Sequence, residues 1–164
     1  MMTALLIYED FEGATRSKAI LERAVGRVDP GERWNLKLWR RDVLSLSAAA
    51  AEALTESLEA EFLVLALKQP ESPAWTLMEW LDKWATRRQV QEAALVVMRA
   101  GEVANRGVQA TPGLAKFAAS HGLGFLLDES GSDRIELGPM VHNMRQTVAR
   151  TRQFRPAWGW GINE

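Results

Sequence analysis

The chain has 164 residues, 47% of them apolar and 25% charged, with a formal net charge of −1. That is enough for one domain with a sizeable core. The charge leaves nucleic acid dependent on a local basic patch, so no nucleic-acid partner is expected. The lack of cysteine excludes disulfides, thiolate catalysis and cysteine-ligated metals, and His121 and His142 alone argue against a multi-histidine site.

Five short apolar runs alternate with helical stretches. The first strand is predicted at Ala4 to Tyr8, followed by the acidic loop Glu9-Asp10-Phe11-Glu12-Gly13. The start of the chain lacks the basic segment and cleavage site of a secretory signal, and no apolar run approaches the roughly 20 residues that span a bilayer. A cytoplasmic protein with no membrane partner is therefore expected. A helix is predicted from about Ala14 to Val28, with Ile20, Leu21, Ala24, Val25 and Val28 on one stripe, stopped by Asp29-Pro30-Gly31. Strand two follows at Trp34 to Trp39. Its alternation of Trp34, Leu36 and Leu38 with Asn35 and Lys37 predicts an edge strand.

Ser47 is the expected N-cap of a helix from Ala48 to Ala60, whose run of alanines favours helix and close packing. The wholly apolar Phe62 to Leu67 predicts a central third strand. After Lys68-Gln69-Pro70-Glu71, Ser72-Pro73 reads as cap and first residue of a helix to about Arg88. Trp80 and Trp84 lie on one line of it and serve either the core or an interface. Strand four is predicted from Ala93 to Met98, a helix capped by Thr111-Pro112 and stopped by Gly122 comes next, and strand five ends at Leu127. Asp128 to Asp133 reads as a turn. Gly138-Pro139 opens a last helix with Val141, Met144 and Val148 on one face. Its His142 and its cations Arg145, Arg150 and Arg152 suit a surface helix and its C-terminal dipole.

One domain over 1–153 is expected, with an aromatic tail over 154–164 packed back on it. Seven tryptophans are many for this length, so several belong in the core, at an interface or against a ligand. The tail from Trp158 is expected to cross the strand ends and bring Asn163 or Glu164 near Arg40. Strict alternation with right-handed crossovers predicts a three-layer α/β/α sandwich around a five-stranded parallel sheet of order 2-1-3-4-5. Ligands of such sheets sit beyond the carboxyl ends of the strands, where the order reverses. That places the candidate crevice among Glu9, Asp10, Glu12, Arg40, Asp42, Lys68 and Glu71. Arg40 and Arg41 are expected to pair with Glu9 or Asp10 across neighbouring strand ends, or to bind an anion.

Three resemblances attach to these residues. The acidic corner Glu9, Asp10 and Glu12 resembles that of response-regulator receiver domains, which implies Mg²⁺ held by Glu9 and Asp10. The sequence departs from that family at the end of strand three, where Leu67-Lys68 stands in place of the phosphoacceptor aspartate, and after strand four, where Arg99-Ala100-Gly101 offers no hydroxyl. The segment Ile7-Tyr8, Gly13-x-Thr15 and Ala19 resembles the flavodoxin phosphate loop. That likeness implies FMN, with its phosphate at Gly13, Thr15 and Ser17 and its ring against Trp75, although Asp10, Phe11 and Glu12 replace the hydroxyls expected before the glycine. Tyr8-Glu9-Asp10-Phe11, Leu38-Trp39-Arg40-x-Asp42 and the terminal Trp160-Gly161-Ile162-Asn163-Glu164 resemble a group of short bacterial proteins to which no activity attaches. The expectation is a non-catalytic binding or signalling module without a resident cofactor, flavodoxin-like or receiver-like in scaffold. It would meet a protein partner or a small ligand at the crevice, or a partner at the tryptophan-bearing third helix, and homo-oligomerisation is compatible with the sequence. The alternative is an FMN-dependent reductase or quinone reductase with a divergent phosphate loop.

Overall fold

A computed structural model describes residues 2–28, 31, 33–101, 108 and 111–128. Its elements are β1 (Met2–Tyr8), α1 (Phe11–Val28), β2 (Trp34–Arg40), a 3₁₀ turn (Asp42–Ser45), α2 (Ser47–Ser57), β3 (Phe62–Leu67), α3 (Trp75–Arg87), β4 (Ala94–Arg99), α4 (Pro112–Ser120) and β5 (Gly124–Leu127). The strands pair in the order β2-β1-β3-β4-β5, and every pair is parallel. The predicted last helix and the tail over 154–164 lie outside the described residues.

β3 sits at the centre because it can. All of its side chains are buried, alternately on the two faces of the sheet. Leu63, Leu65 and Leu67 join Leu5, Ile7, Leu95 and Val97 under α2, α3 and α4. Phe62, Val64 and Ala66 join Ala4, Leu6, Val96 and Met98, and α1 covers that side with Ala14, Ile20 and Leu21. The chain moves one way from β1 to β2 and the other way from β2 onward. Right-handed crossovers therefore set α1 on the opposite face from α2, α3 and α4. β2 is an edge strand, as its alternation predicts, but neither of its faces is dry. Leu36 packs partly on the α1 side, Trp39 partly on the other, and Leu38 is 41% exposed.

Trp80 and Trp84 belong to the core. Their indole N–H groups donate to the carbonyls of Ala50 (3.1 Å) and Ser57 (2.9 Å), which pins α3 along α2. A third indole, that of Trp39, donates to Glu56 Oε2 at 2.7 Å and ties β2 to α2.

Two predicted caps fall elsewhere. Leu46 holds the cap position of α2 without a side-chain bond, and Ser47 is already helical. The preceding 3₁₀ turn, closed by Leu46 N–H to Val43 O at 3.0 Å, sets that entry angle instead. α3 starts at Trp75 rather than after Ser72, with Ala74 extended at its cap. Pro70 makes the second position of a turn in which Ser72 N–H donates to Gln69 O at 3.1 Å, so Ser72 is spent on that turn. Thr111-Pro112 does open α4, and Gly122 does close it. Gly122 has φ +67°, with Leu123 N–H on Ala118 O and Gly122 N–H on Ala119 O, the paired bonds of a Schellman end.

Opposite the carboxyl edge of the sheet, Arg88 organises the helix ends. Its guanidinium donates to the carbonyls of Ala85 (2.7 Å), Val90 (3.1 Å), Gln91 (3.4 Å) and His121 (2.9 Å). It thus neutralises the C-terminal dipoles of α3 and α4 together. Burial lowers its pKa from the ordinary arginine value. Arg88→Met is expected to cost about 2–3 kcal/mol in urea unfolding, because the carbonyls lose a charged donor. Arg88→Lys should recover less than half of that, since an ammonium cannot span the same fork.

Candidate functional site

The candidate site is the carboxyl edge of the sheet, where β1 and β3 become neighbours. Parallel pairing of Tyr8 with Arg40 and with Ala66 brings the residues after these strands side by side. The connection from β1 to α1 is only Glu9 and Asp10. Asp10 is the N-cap of α1. Its Oδ1 accepts from Gly13 N–H at 2.5 Å, and its carbonyl accepts from Ala14 N–H at 3.0 Å. The other carboxylate oxygen faces Lys68 Nζ at 3.8 Å.

The neighbouring charges pair in turn. Glu9 Oε1 accepts from Lys68 N–H at 3.3 Å and lies 3.9 Å from Arg41 Nε. Arg41 is held there because its N–H donates to Tyr8 O at 2.7 Å, one step beyond the strand pairing. Arg40 does not reach across to the acidic corner as expected; it pairs with Asp42 at 2.9 Å on its own side. β2 ends at Arg40, and Arg41, with φ −60° and ψ −41°, turns out of the strand and is the arginine that reaches Glu9. Glu71 pairs with Arg99, which also donates to Lys68 O at 3.3 Å. That hydrogen bond to Arg99 holds the Glu71 carboxyl below the ordinary glutamate value. Glu12 is exposed in the first turn of α1. The edge is therefore a belt of alternating charge, closed on itself by surface ion pairs that are each worth little.

Gly13 is part of this packing rather than an open cradle. A Cβ there would stand 2.7 Å from Asp10 Oδ1 and 2.8 Å from the Ala100 Cβ. Ser17 is 1% exposed and lies on the core stripe of α1 with Ala14 and Ile20. The Thr15 hydroxyl donates to Phe11 O at 3.0 Å, within its own turn. As arranged, the loop does not offer a flavin phosphate the donors it needs. The Gly13 amide is taken by a carboxylate, Ser17 faces the core, and Glu9, Asp10 and Glu12 would repel a dianion. For Mg²⁺ the fit is no better, since Glu9 and Asp10 each face a cation and a backbone amide. Among the described residues no three acidic, histidine or cysteine side chains gather as metal ligands.

Large apolar side chains complete the edge. Phe11 is 79% exposed at the start of α1, Leu46 62% at the start of α2 and Trp75 75% at the start of α3. Each follows the tip of a strand, so all three lie on this one edge. Sequence reasoning singled out Trp75 but not Phe11, Leu46 or Arg99 as site residues. Arg99 was legible in the register, because it stands beside Leu67 and hence beside Lys68. Leu46 carried no signal, because a leucine before a helix is ordinarily buried.

No family model matches the chain, and no curated protein matches it. A solved structure of rubredoxin oxygen:oxidoreductase from the anaerobe Desulfovibrio gigas does, with a TM-score of 0.54 and 12% sequence identity. The match covers 95% of this chain and 37% of that one, so this chain spans little more than a third of that protein's length. The fold is flavodoxin-like. At this identity the likeness extends to the fold alone. No described helix is long and apolar enough to cross a membrane.

Two expectations follow from the geometry at this edge. Gly13→Ala should cost about 1–3 kcal/mol by overpacking, and Asp10→Ala about 1 kcal/mol by loss of the cap, each equally with and without Mg²⁺ in thermal melts. A loss at Asp10 that appears only when Mg²⁺ is present would instead mark a metal site. The second concerns pH. A carboxyl held low when folded contributes stability that is present above the ordinary glutamate pKa and disappears as pH falls through the lowered value. Wild type should therefore lose more stability than Glu71→Gln between about pH 6 and about pH 3, by less than about 1 kcal/mol for so accessible a pair. Parallel curves in urea titrations at the two pH values would contradict it.

Proposed function

We propose that the chain is a non-catalytic binding module on a flavodoxin-like scaffold, with a protein partner meeting it at the carboxyl edge of the sheet. The observation that carries this reading is the joint exposure of Phe11, Leu46 and Trp75 around ion pairs already satisfied within the chain. Large exposed apolar side chains, aromatic ones above all, are characteristic of protein interfaces. Catalysis calls for the reverse arrangement, with titratable groups left poised for a substrate. The residue after β3 is Lys68, so phosphoryl acceptance at an aspartate there has no support.

A second reading keeps one specific observation in its favour. Trp75 stands exposed at the start of α3, on the carboxyl edge where flavodoxin-like sheets take their ligands, and a flavin ring stacked on it would make the chain an FMN-dependent reductase. The two separate in one titration. FMN added at micromolar concentration to the full chain should leave tryptophan fluorescence unquenched beyond the inner-filter effect, and the same for Trp75→Phe. Saturable quenching that disappears in Trp75→Phe would overturn the binding-module reading.

A further inference from the structure

We propose that the open edge of β2 takes an extended strand of another protein, with a carboxylate of that strand opposite Lys37. This surface is separate from Phe11, Leu46 and Trp75, and the inference does not depend on their role.

The backbone supplies the first half of the argument. Met2 N–H donates to Arg33 O, and Arg41 N–H donates to Tyr8 O. With the parallel register, these bonds turn the N–H and C=O groups of the odd-numbered residues of β2 toward β1. Those of Leu36 and Leu38 therefore point outward, about 6.6 Å apart. Among the described residues nothing bonds to them, and β2 has β1 as its single neighbour in the sheet. A row of paired donors and acceptors at that spacing matches one chemistry, an extended peptide backbone.

The side chains supply the second half. Leu36 packs partly on the α1 side, and Leu38 lies exposed on the same side. On the other side, Asn35 and Lys37 join Thr3 in the floor of a cleft of about 420 Å³, walled by Glu56 and Glu59 around the end of α2. An added strand alternates in the same way. It would set apolar side chains beside the two leucines and one side chain into the cleft beside Lys37. Glu56 accepts from the Trp39 indole, and Lys37 makes no ion pair among the described residues. A carboxylate directly across the strands is the partner that its position calls for.

Lys37 also argues against a second copy as the occupant. Two copies paired through this edge about a twofold axis run antiparallel, with the axis at Leu36, Lys37 or Leu38. The residue opposite Lys37 is then Asn35, a second Lys37 or Trp39. No such register supplies a carboxylate, and one of them sets like charges face to face. A foreign strand of alternating apolar and acidic residues meets both the leucines and the lysine.

The probes are two end-blocked, fluorescently labelled hexapeptides, one of alternating valine and glutamate, the other of alternating valine and lysine. Anisotropy titration with the full chain should show saturable binding of the glutamate peptide with a dissociation constant below about 1 mM, and binding of the lysine peptide weaker by about tenfold or more. Hydrogen exchange at the Leu36 and Leu38 amides should slow when the glutamate peptide is present. Leu38→Pro removes an outward donor and no rung of the β1 ladder, so it should abolish binding and leave the urea midpoint nearly unchanged. Lys37→Glu should reverse the preference between the peptides, which an unfolded variant would not do. No binding of either peptide, equal binding of both, unprotected amides, a folded Leu38→Pro that still binds, or a Lys37→Glu that keeps the original preference would each overturn the proposal. So would a dimer in sedimentation velocity that Leu38→Pro dissociates, because the edge would then belong to a second copy.

Discussion

The parallel ladder between β1 and β3 is the contact on which the rest of this molecule depends. It runs from Ala4 beside Phe62 to Tyr8 beside Ala66, and it exists because the chain turns back across β1 after laying β2 on the far side. That reversal puts α1 on one face and α2, α3 and α4 on the other. It also leaves the tips of β1 and β3 adjacent with no helix crossing between them. Asp10 meets Lys68, and Glu9 meets the Lys68 amide, only because of this ladder. Residues far apart in sequence become a site through strand pairing alone.

Stability and exposure are divided between the two ends of the sheet. At the end opposite the tips, carbonyls at the C-terminal ends of α2, α3 and α4 accept from Arg88 and the indole of Trp84. Such bonds are partly buried, so losing one leaves a polar group unsatisfied away from water. At the carboxyl edge the ion pairs are solvent-accessible and individually weak. Phe11, Leu46 and Trp75 gain nothing from their position in an isolated chain.

Much of the fold was legible from periodicity. β3 as a wholly apolar run, β2 as an alternating edge strand, and Gly122 as a helix stop each follow from local chemistry. The misplaced caps share one cause. Ser47 and Ser72 are good cap residues in isolation, but the 3₁₀ turn before α2 and the Pro70 turn before α3 claim the backbone first. At the site, the acidic corner and Lys68 were visible as strand-end residues. Their pairings were not, because nothing local tells Arg41 from Arg40 as the neighbour of Glu9.

The amino-acid order by itself determined which segments are strands and helices, and that both faces of the sheet are covered, because burial patterns are written residue by residue. Tertiary structure decided what each polar group does. Asp10 caps α1 and faces Lys68, Ser17 faces the core, and Arg88 clamps two helix ends. A side chain's chemistry depends on which partner lies within about 3 Å of it, and long-range strand pairing, not sequence spacing, sets that distance.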